Sequence, residues 1–438
     1  MLRYASFIAA ALAGALLTRC LSPSSPAPPE FASEPLARVS SRLRALAQHA
    51  SSHRRRVVLV TGAAGFVGFH TALQLHAEGD AVVGLDNFNS YYDVRLKRLR
   101  AALLHRAGMR TLVEGDVCDA ELLRTILREG RVSHVIHLAA QAGVRYSLKK
   151  PLAYVEANVR CFVTLLEAVH AVNNSVPIAY ASSSSVYGLN TLVPFSETHR
   201  VDQQASLYGA TKKSNENIAH VYHHLHKLKL TGLRFFTVYG PIGRPDMAYF
   251  GFTQERTLHA PRSPPPFALH APHLRLMPSQ AILAGRRITE FRKDNGDELQ
   301  RDFTYISDIV DGVIAASRLA APLEIFNLGN TRPEKVSTLV KCIEAGLGRK
   351  ANSTRAPITA GDVPLTFADV SHARKLLRYE PKVTLEAGIR RFLLWYSDYY
   401  QVDLARDFMP SRKEAHELKV KYNINVNRRR RGRQLEYA

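Results

Sequence analysis

Several features that identify common protein classes are scarce in this sequence. Its 438 residues include only four cysteines and one tryptophan. The cysteines (Cys20, Cys118, Cys161 and Cys342) lie far apart, without Cys-x-x-Cys spacing and without a partnered histidine. This distribution argues against a zinc site and against a disulfide framework. We therefore expect no metal, and thiols that take no special part in the structure.

Long hydrophobic runs are also missing. The uncharged apolar run from Phe7 to Leu17 has eleven residues, whereas a membrane-spanning helix needs roughly 20. It matches the apolar region of a secretory signal or a short anchor. Residues 22–56, rich in Ser, Pro, Ala and Arg, suit an organelle transit peptide as well. We exclude residues 1–55 from the fold as a targeting or anchor segment with a linker. The expected location is the secretory pathway, at the Golgi membrane, with a plastid or other organelle as the alternative.

Acidic residues are few, 38 against 59 Lys and Arg, which gives a net charge of +21. Such an excess raises the question of nucleic acid or a membrane surface. Residues 1–56 hold eight basic and two acidic groups, and residues 412–438 hold nine and three. Because much of the charge lies in tails, residues 411–438 are interpreted as a solvated basic tail. We expect no nucleic-acid partner, and a non-catalytic RNA-binding protein is the competing class.

The hydrophobic pattern from Val57 onward alternates between strands and helices. Continuous apolar runs predict strands at 57–60, 81–85, 111–113, 132–138, 178–181 and 233–236. Helical patterns lie between them, notably at 66–78, 152–172 and 207–228. This alternation predicts an α/β fold with a doubly wound parallel sheet over residues 56–240. Residues 241–410 are predicted to form a smaller mixed α/β domain that mainly binds the substrate, in which the proline-rich stretch 254–279 is an irregular loop.

A glycine-rich loop joins the first predicted strand to the first predicted helix. Gly62, Gly65 and Gly68 allow a tight turn and close approach of a pyrophosphate to the backbone, and Phe66 and Val67 begin the helix. The N–H groups at the start of that helix favour phosphate. Asp86 ends the second strand, where a carboxylate accepts hydrogen bonds from both ribose hydroxyls of NAD and repels the extra phosphate of NADP. The segment 56–240 is therefore predicted to bind NAD.

A tyrosine, a lysine and a serine run form the candidate catalytic group. Tyr208 and Lys212 lie four residues apart, on one face of a predicted helix. A phenol has a pKa near 10, so we expect the lysine to favour the phenolate, which then acts as a base. Residues 182–185 are four serines at the carboxyl end of a predicted strand, where α/β sheets bind ligands.

These motifs resemble the extended short-chain dehydrogenases that act on nucleotide sugars. The resemblance rests on the glycine loop, GDV at 115–117, HLAA at 137–140, the serine run and the Tyr-x-x-x-Lys motif, and it extends from about Val57 to about Tyr400. More specific strings are similar to the UDP-glucuronate 4-epimerases: LDNFNSYYD at 85–93, GLRFFTVYG at 232–240, GRPDMA at 243–248 and RDFTY at 301–305. Family members lack the 26 residues between Thr253 and Gln280.

The resemblance implies a role for each matching position. Ser183 is the hydroxyl partner of Tyr208, and Ser184, Ser185, Thr237 and Arg244 lie near the sugar, with Arg301 near the diphosphate. The residues assigned to the cofactor, besides Tyr208, Lys212 and the glycine loop, are Asp86, Asn87, Asp116, Val117, Leu138, Ala139, Ala140 and Asn158.

The reaction follows from what the serine run lacks. Similar dehydratases and decarboxylases carry acidic residues two or three positions before the equivalent of Tyr187, where this chain has Ser185 and Ser184. We therefore expect an isomerase that epimerises C4 of a UDP-sugar through a 4-keto intermediate. The expected reaction converts UDP-glucuronate to UDP-galacturonate. Another epimerase or decarboxylase of the same family is the alternative. A homodimer is expected, and association with a membrane through the N-terminus is a further expectation.

Overall fold

The computed structural model describes residues 35–245, 278–358 except 284 and 294, 363–400, and short stretches between 402 and 419. The predicted apolar run from Phe7 to Leu17, residues 254–277 of the predicted loop and the last residues of the basic tail lie outside this part of the chain.

The strands of the described residues fall into three sheets. Their bounds are β1 Val57–Thr61, β2 Ala81–Asp86, β3 Leu112–Glu114, β4 His134–His137, β5 Ile178–Ser183, β6 Leu230–Phe235, β7 Thr237–Tyr239, β8 Arg287–Arg292, β9 Gln300–Tyr305, β10 Leu323–Leu328, β11 Pro333–Lys335, β12 Asn352–Pro357 and β13 Leu365–Thr366.

The helices cover the faces of these sheets. They are α1 Leu36–Ser52, α2 Phe66–Ala77, α3 Val94–Arg106, α4 Ala120–Glu129, α5 Val144–Ser147, α6 Pro151–Tyr154, α7 Cys161–Val172, α8 Leu207–His226, α9 Pro278–Leu283, α10 Ile306–Leu319, α11 Val336–Leu347, α12 Ser371–Leu377 and α13 Leu385–Tyr400. A π-turn, Val155–Arg160, joins α6 to α7, and 3-10 turns lie at Ser184–Tyr187 and Arg406–Phe408.

The largest sheet has seven parallel strands in the order β10-β6-β5-β4-β1-β2-β3. Both of its faces are buried: Val58 and Val60 pack in one hydrophobic cluster, Val57 and Leu59 in another. The predicted doubly wound α/β fold is confirmed. The chain order reverses between β1 and β4, and the carboxyl ends of the strands at such a reversal border the crevice in which these sheets bind ligands.

A second, smaller region is built around β9. This strand pairs with β11 in antiparallel fashion and with β7 and β13 in parallel, while β8 and β12 form a separate pair. The chain does not stay in this region after residue 240, because β10 returns to the large sheet and pairs with β6. The large sheet therefore includes a strand from beyond the predicted boundary.

Helix α1 lies inside the segment that we expected to be outside the fold. Val39, Leu43, Ala47 and Ala50 recur at helical spacing and are buried, and all but Ala47 belong to the hydrophobic cluster that contains residues of α4. Excluding residues 36–52 from the fold was therefore wrong. The mixed Ser, Ala and Arg composition of the segment concealed a narrow apolar stripe. This stripe becomes buried only when α1 packs against α4.

Two other expectations need correction. The predicted helix 152–172 is interrupted by the π-turn that contains Asn158, and such turns are frequent at functional sites. The last two residues of the predicted loop 254–279 belong to α9, where Ser279 is buried. Among the described residues, no helix combines the length and the apolar character needed to cross a bilayer.

Candidate active site

The glycine loop between β1 and α2 leaves almost no room for side chains. Gly62 has a φ of +71°, and a Cβ on it would lie 2.8 Å from Ala139 N. A Cβ on Gly65 or Gly68 would lie 2.8 Å or 2.0 Å from Gly62 O. Asp86 reaches back from the end of β2, and its Oδ2 accepts a hydrogen bond from Ala64 N at 3.0 Å. The loop and Asp86 thus form one unit at the switch of strand order.

A polar cluster extends this unit across the ends of β2 and β3. Asn87 Nδ2 donates to Asp116 Oδ2 at 2.9 Å. Lys97, on α3, is buried with its Nζ 3.8 Å from Asp86 Oδ1 and 2.9 Å from Asn89 Oδ1. Burial lowers the pKa of Lys97. Lys97 was not among the residues expected at the site, although its position four residues after the string at 85–93 indicated that it could reach Asp86.

Asp116 also adjoins a disulfide that we did not expect. Cys118 and Cys161 are bonded, and Asp116 Oδ1 accepts from Cys118 N at 2.8 Å. The expectation that these thiols take no special part is therefore wrong. Forty-three residues separate the two cysteines, and only the packing of α7 beside the end of β3 brings them together. Their sequence spacing could not show this.

The loop after β4 lines the other side of the crevice. His137 Nδ1 lies 2.8 Å from Thr61 Oγ1, which accepts a bond from Ala139 N at 3.2 Å. Burial, aided by the charge of Lys212, lowers the pKa of His137 to about 3, so the ring is neutral. The loop at Leu138–Ala140 is thereby fixed beside Gly62.

The side chain of Asn158 is bonded to protein groups on two elements. Its Oδ1 accepts from Gln141 N at 2.8 Å, and its Nδ2 donates to Gln141 O at 3.0 Å and Thr211 Oγ1 at 3.1 Å. Asn215 Nδ2 donates to Asn158 O at 2.6 Å. Asn158 thus ties the loop after β4 to α8, and its assignment to the cofactor stays a prediction.

The three predicted catalytic residues come together at the carboxyl end of β5. Ser183 lies close enough to Tyr208 to lower the pKa of its phenol, and Ser183 Oγ accepts from Ser185 N at 3.2 Å. Lys212 Nζ donates to Ala181 O at 2.8 Å. Burial lowers the pKa of Lys212 to about 8.

The electrostatics of Tyr208 differ from the expectation. Burial raises the pKa of its phenol, and the hydrogen bond with Ser183 and the charge of Arg244 act against that rise. We expected Lys212 to favour the phenolate, but its ammonium group faces a carbonyl of β5. The cation that acts on Tyr208 in this structure is Arg244, which lies in the turn after β7.

The predicted substrate residues border this catalytic group on several elements. Ser184 and Ser185 begin the 3-10 turn after β5, and Thr237 begins β7. Arg301 lies on the neighbouring strand β9, where it is buried and its Nη1 donates to Gln300 O and Pro364 O at 2.8 and 3.1 Å. The assignment of Arg301 to a diphosphate stays a prediction.

Comparisons with known proteins point to one family of enzymes. A family model described as GDP-mannose 4,6 dehydratase matches residues 59–254. UDP-glucuronate 4-epimerase 4 of Arabidopsis thaliana is 49% identical over 378 residues, which is 83% of this chain and 80% of that protein. The structure of UDP-glucuronic acid 4-epimerase from Bacillus cereus, in complex with UDP-glucuronic acid and NAD, is 30% identical with a TM-score of 0.66, and the match covers 79% of this chain and 99% of that one. UDP-glucose 4-epimerase from Thermotoga maritima gives 27% identity and a TM-score of 0.62 over 78% and 98% of the two chains.

Proposed function

Because this chain belongs to the UDP-glucuronate 4-epimerases, with a relative 49% identical over 80% of that relative's length, we propose that it interconverts UDP-glucuronate and UDP-galacturonate with NAD as cofactor. The observation that carries the proposal is the group formed by Ser183, Tyr208 and Lys212 at the end of β5. A phenol and a hydroxyl in contact can remove a proton from a sugar hydroxyl and return it.

The residues present fit NAD. Side chains at Gly62, Gly65 and Gly68 would collide with the backbone of the loop or of Ala139, so the peptide groups of the loop remain free to approach a pyrophosphate. We expect Asp86 to accept from the adenosine ribose; it lies beside the glycine loop, where Ala64 N donates to it, and Asn87 donates to Asp116 nearby. When bound, NAD supplies a reversible oxidant for C4 of the sugar.

The residues of the chain then account for the proton transfers. Tyr208 removes the proton of the C4 hydroxyl, and Ser183 stabilises the charge on the phenol and on the sugar oxygen. The positions that carry acids in similar dehydratases are Ser184 and Ser185. With no acid there, the 4-keto sugar rotates within the site and presents its other face. Tyr208 then returns the proton to the oxygen of the other epimer.

Purified full-length protein incubated with a panel of UDP-sugars tests this function. We expect UDP-glucuronate to give UDP-galacturonate, with no net consumption of NAD. A decarboxylated UDP-pentose as the main product would favour the decarboxylase alternative. Absence of turnover with every UDP-sugar would overturn the proposal.

We also propose a homodimer that forms through α6, α8 and the π-turn between α6 and α7. Leu152, Val155, Val221 and Leu225 are exposed on these neighbouring elements, and exposed apolar side chains are available for an interaction surface. The double substitution Val221→Glu with Leu225→Glu should halve the mass seen by sedimentation. A wild-type monomer, or an unchanged variant dimer, would contradict it.

For location, we propose the secretory pathway at the Golgi membrane, with a luminal catalytic domain. The apolar run Phe7–Leu17 motivates the proposal, and the Cys118–Cys161 disulfide supports an oxidising compartment. Imaging a fluorescent protein fused to residues 1–56 distinguishes Golgi from plastid. Diffuse cytosolic fluorescence would contradict both.

A further inference from the structure

Three consecutive residues of β5 are held by one face of α8. Lys212 Nζ donates to Ala181 O at 2.8 Å, and Ser182 Oγ donates to Glu216 Oε1 at 2.7 Å. Tyr208 faces Ser183, whose hydroxyl lowers the pKa of the phenol. Residues 208, 212 and 216 are spaced by four, so they lie on one helix face. Each therefore fixes one residue of the strand that ends at the catalytic serine.

Glu216 is the member of this set that no catalytic role requires. Its carboxylate accepts from Arg234 Nε and Nη2, both at 2.9 Å, and the two side chains are 1% and 2% exposed. Burial raises the pKa of Glu216, but the hydrogen bonds and charge of Arg234 outweigh burial and hold the pKa below its ordinary value. Glu216 is therefore an ionised group whose geometry is fixed by a bidentate pair.

Arg234 extends the contact to the other end of the serine turn. Its Nη1 donates to Tyr187 Oη at 3.0 Å, and Tyr187 Oη donates to Asn327 Oδ1 on β10 at 2.7 Å. Tyr187 is the last residue of the turn that follows Ser183. The ion pair thus contacts both sides of Ser183. Glu216 binds Ser182, the residue before it, and Arg234 binds Tyr187, at the end of the turn after it.

We propose that Glu216 is a positioning residue that sets the distance and orientation of Ser183 relative to Tyr208. It does so by accepting the Ser182 hydroxyl bond and by holding Arg234 against Tyr187. This inference rests on the proposed epimerase reaction, in which Ser183 and Tyr208 act together. Proton transfer needs heavy atoms within about 2.6–3.2 Å, and a misplacement of about 1 Å costs about a hundredfold in rate.

Ser182→Ala is the most selective test, because it removes the link between strand and helix and leaves the buried ion pair intact. We expect kcat to fall about ten- to a hundredfold, with KM for the UDP-sugar, NAD retention and melting temperature unchanged. The limb of the pH–kcat profile that reports Tyr208 should move to higher pH, because the Ser183 bond that lowers the pKa of this phenol is weakened. The charges near Tyr208 that could also move this limb are Arg244 and Lys212, and neither is altered.

Ser214→Ala is the matched control, because Ser214 lies on the same helix but donates to Ala210 O within α8. It should behave as wild type, and Ser182→Thr, which keeps the donor, should recover most of the activity. Wild-type kcat and pH profile in Ser182→Ala would overturn the inference. A parallel decrease of NAD retention and melting temperature would also overturn the inference, since such a decrease indicates only structural support.

Glu216 itself is tested by Glu216→Met combined with Arg234→Met, which removes the acceptor for Ser182 and leaves no unpaired buried charge. We expect the same shift of the pH profile in this double variant, and an unshifted profile would overturn the role of Glu216. The pKa of Tyr208 can also be read without turnover, from the phenolate absorbance that is lost in Tyr208→Phe. That measurement tests the inference even if the wild-type protein epimerises no UDP-sugar, so the two failures are distinguishable.

Discussion

At Tyr208, burial and its neighbours act on the phenol in opposite directions. Burial raises the pKa, while Ser183 and Arg244 lower it. The net result is a raised pKa, so the phenolate needs a further positive charge, which the nicotinamide of bound NAD would supply. The reactivity of Tyr208 is thus a property of the assembled site.

Replacing Tyr208 by Phe removes the proton acceptor and keeps the ring. Turnover should fall by roughly 10²–10⁴, the usual effect of losing an acid–base group, while NAD still co-purifies. Lys212→Ala should impair turnover and NAD binding together. The control is Tyr222→Phe, because Tyr222 lies on the same helix and bonds Glu167 at the surface. Near-normal initial rates in Tyr208→Phe would disprove the catalytic assignment.

Arg244 distinguishes glucuronate from a neutral sugar. Oxidation of C4 places a ketone β to the carboxylate carried by C5, and such acids lose CO₂ readily. A bidentate guanidinium can fix the carboxylate plane so that the breaking bond is poorly aligned with the carbonyl, and lysine cannot reproduce that geometry.

Arg244→Lys should therefore weaken UDP-glucuronate binding and release some UDP-4-keto-pentose, with NAD retention unchanged. Chromatography of the products measures both effects. The interpretation fails if the wild-type protein turns over UDP-glucose as well as UDP-glucuronate, or if the variant affects both sugars equally.

At the scale of elements, α1 shows that the folded unit begins before β1. Its buried stripe is Val39, Leu43, Ala47 and Ala50, and Arg44 bonds Glu129 of α4 at 3.1 Å. Deleting residues 1–55 should lower the free energy of unfolding by about 3–5 kcal/mol, from the apolar area exposed. Deleting residues 1–34 should leave it unchanged. Denaturant titration of the two truncated proteins decides, and equal stabilities would show that α1 contributes nothing.

The proline-rich insertion is expected to be independent of the site. Because α9 begins at Pro278 and Ser279 is buried, the deletion should remove residues 254–277 and join Thr253 to Pro278. Melting temperature and turnover should stay near wild type. A clear loss of both would show that the segment packs against the fold.

At the scale of the whole molecule, the Cys118–Cys161 disulfide closes a loop of 43 residues. A loop of this length restricts the unfolded chain by up to about 4 kcal/mol in the chain-entropy treatment. Reduction with dithiothreitol, or Cys118→Ser, should therefore lower the unfolding free energy by about 2–4 kcal/mol. Cys342→Ser is the control, because Cys342 is unpaired and lies on α11. Equal stability of oxidised and reduced protein would contradict the prediction.

The sequence by itself determined the α/β class, the positions of the first six strands along the chain and the glycine loop. These features depend on neighbouring residues: continuous apolar runs, glycines at a strand-to-helix turn, and an acid at the end of β2. It also determined that Tyr208 and Lys212 share a helix face, since their spacing is local. The position of Arg234 inside a predicted buried strand also indicated an ion pair, because a buried charge needs a partner.

Only the tertiary structure decided which distant residues meet. It paired Glu216 with Arg234, joined Cys118 to Cys161, returned β10 to the large sheet and buried α1 against α4. It also turned Lys212 toward Ala181 and left Arg244 as the cation that acts on Tyr208. Each outcome depends on the distance between groups far apart in the chain. Burial, hydrogen bonding and charge act over a few ångströms, so they are fixed only when the layers pack.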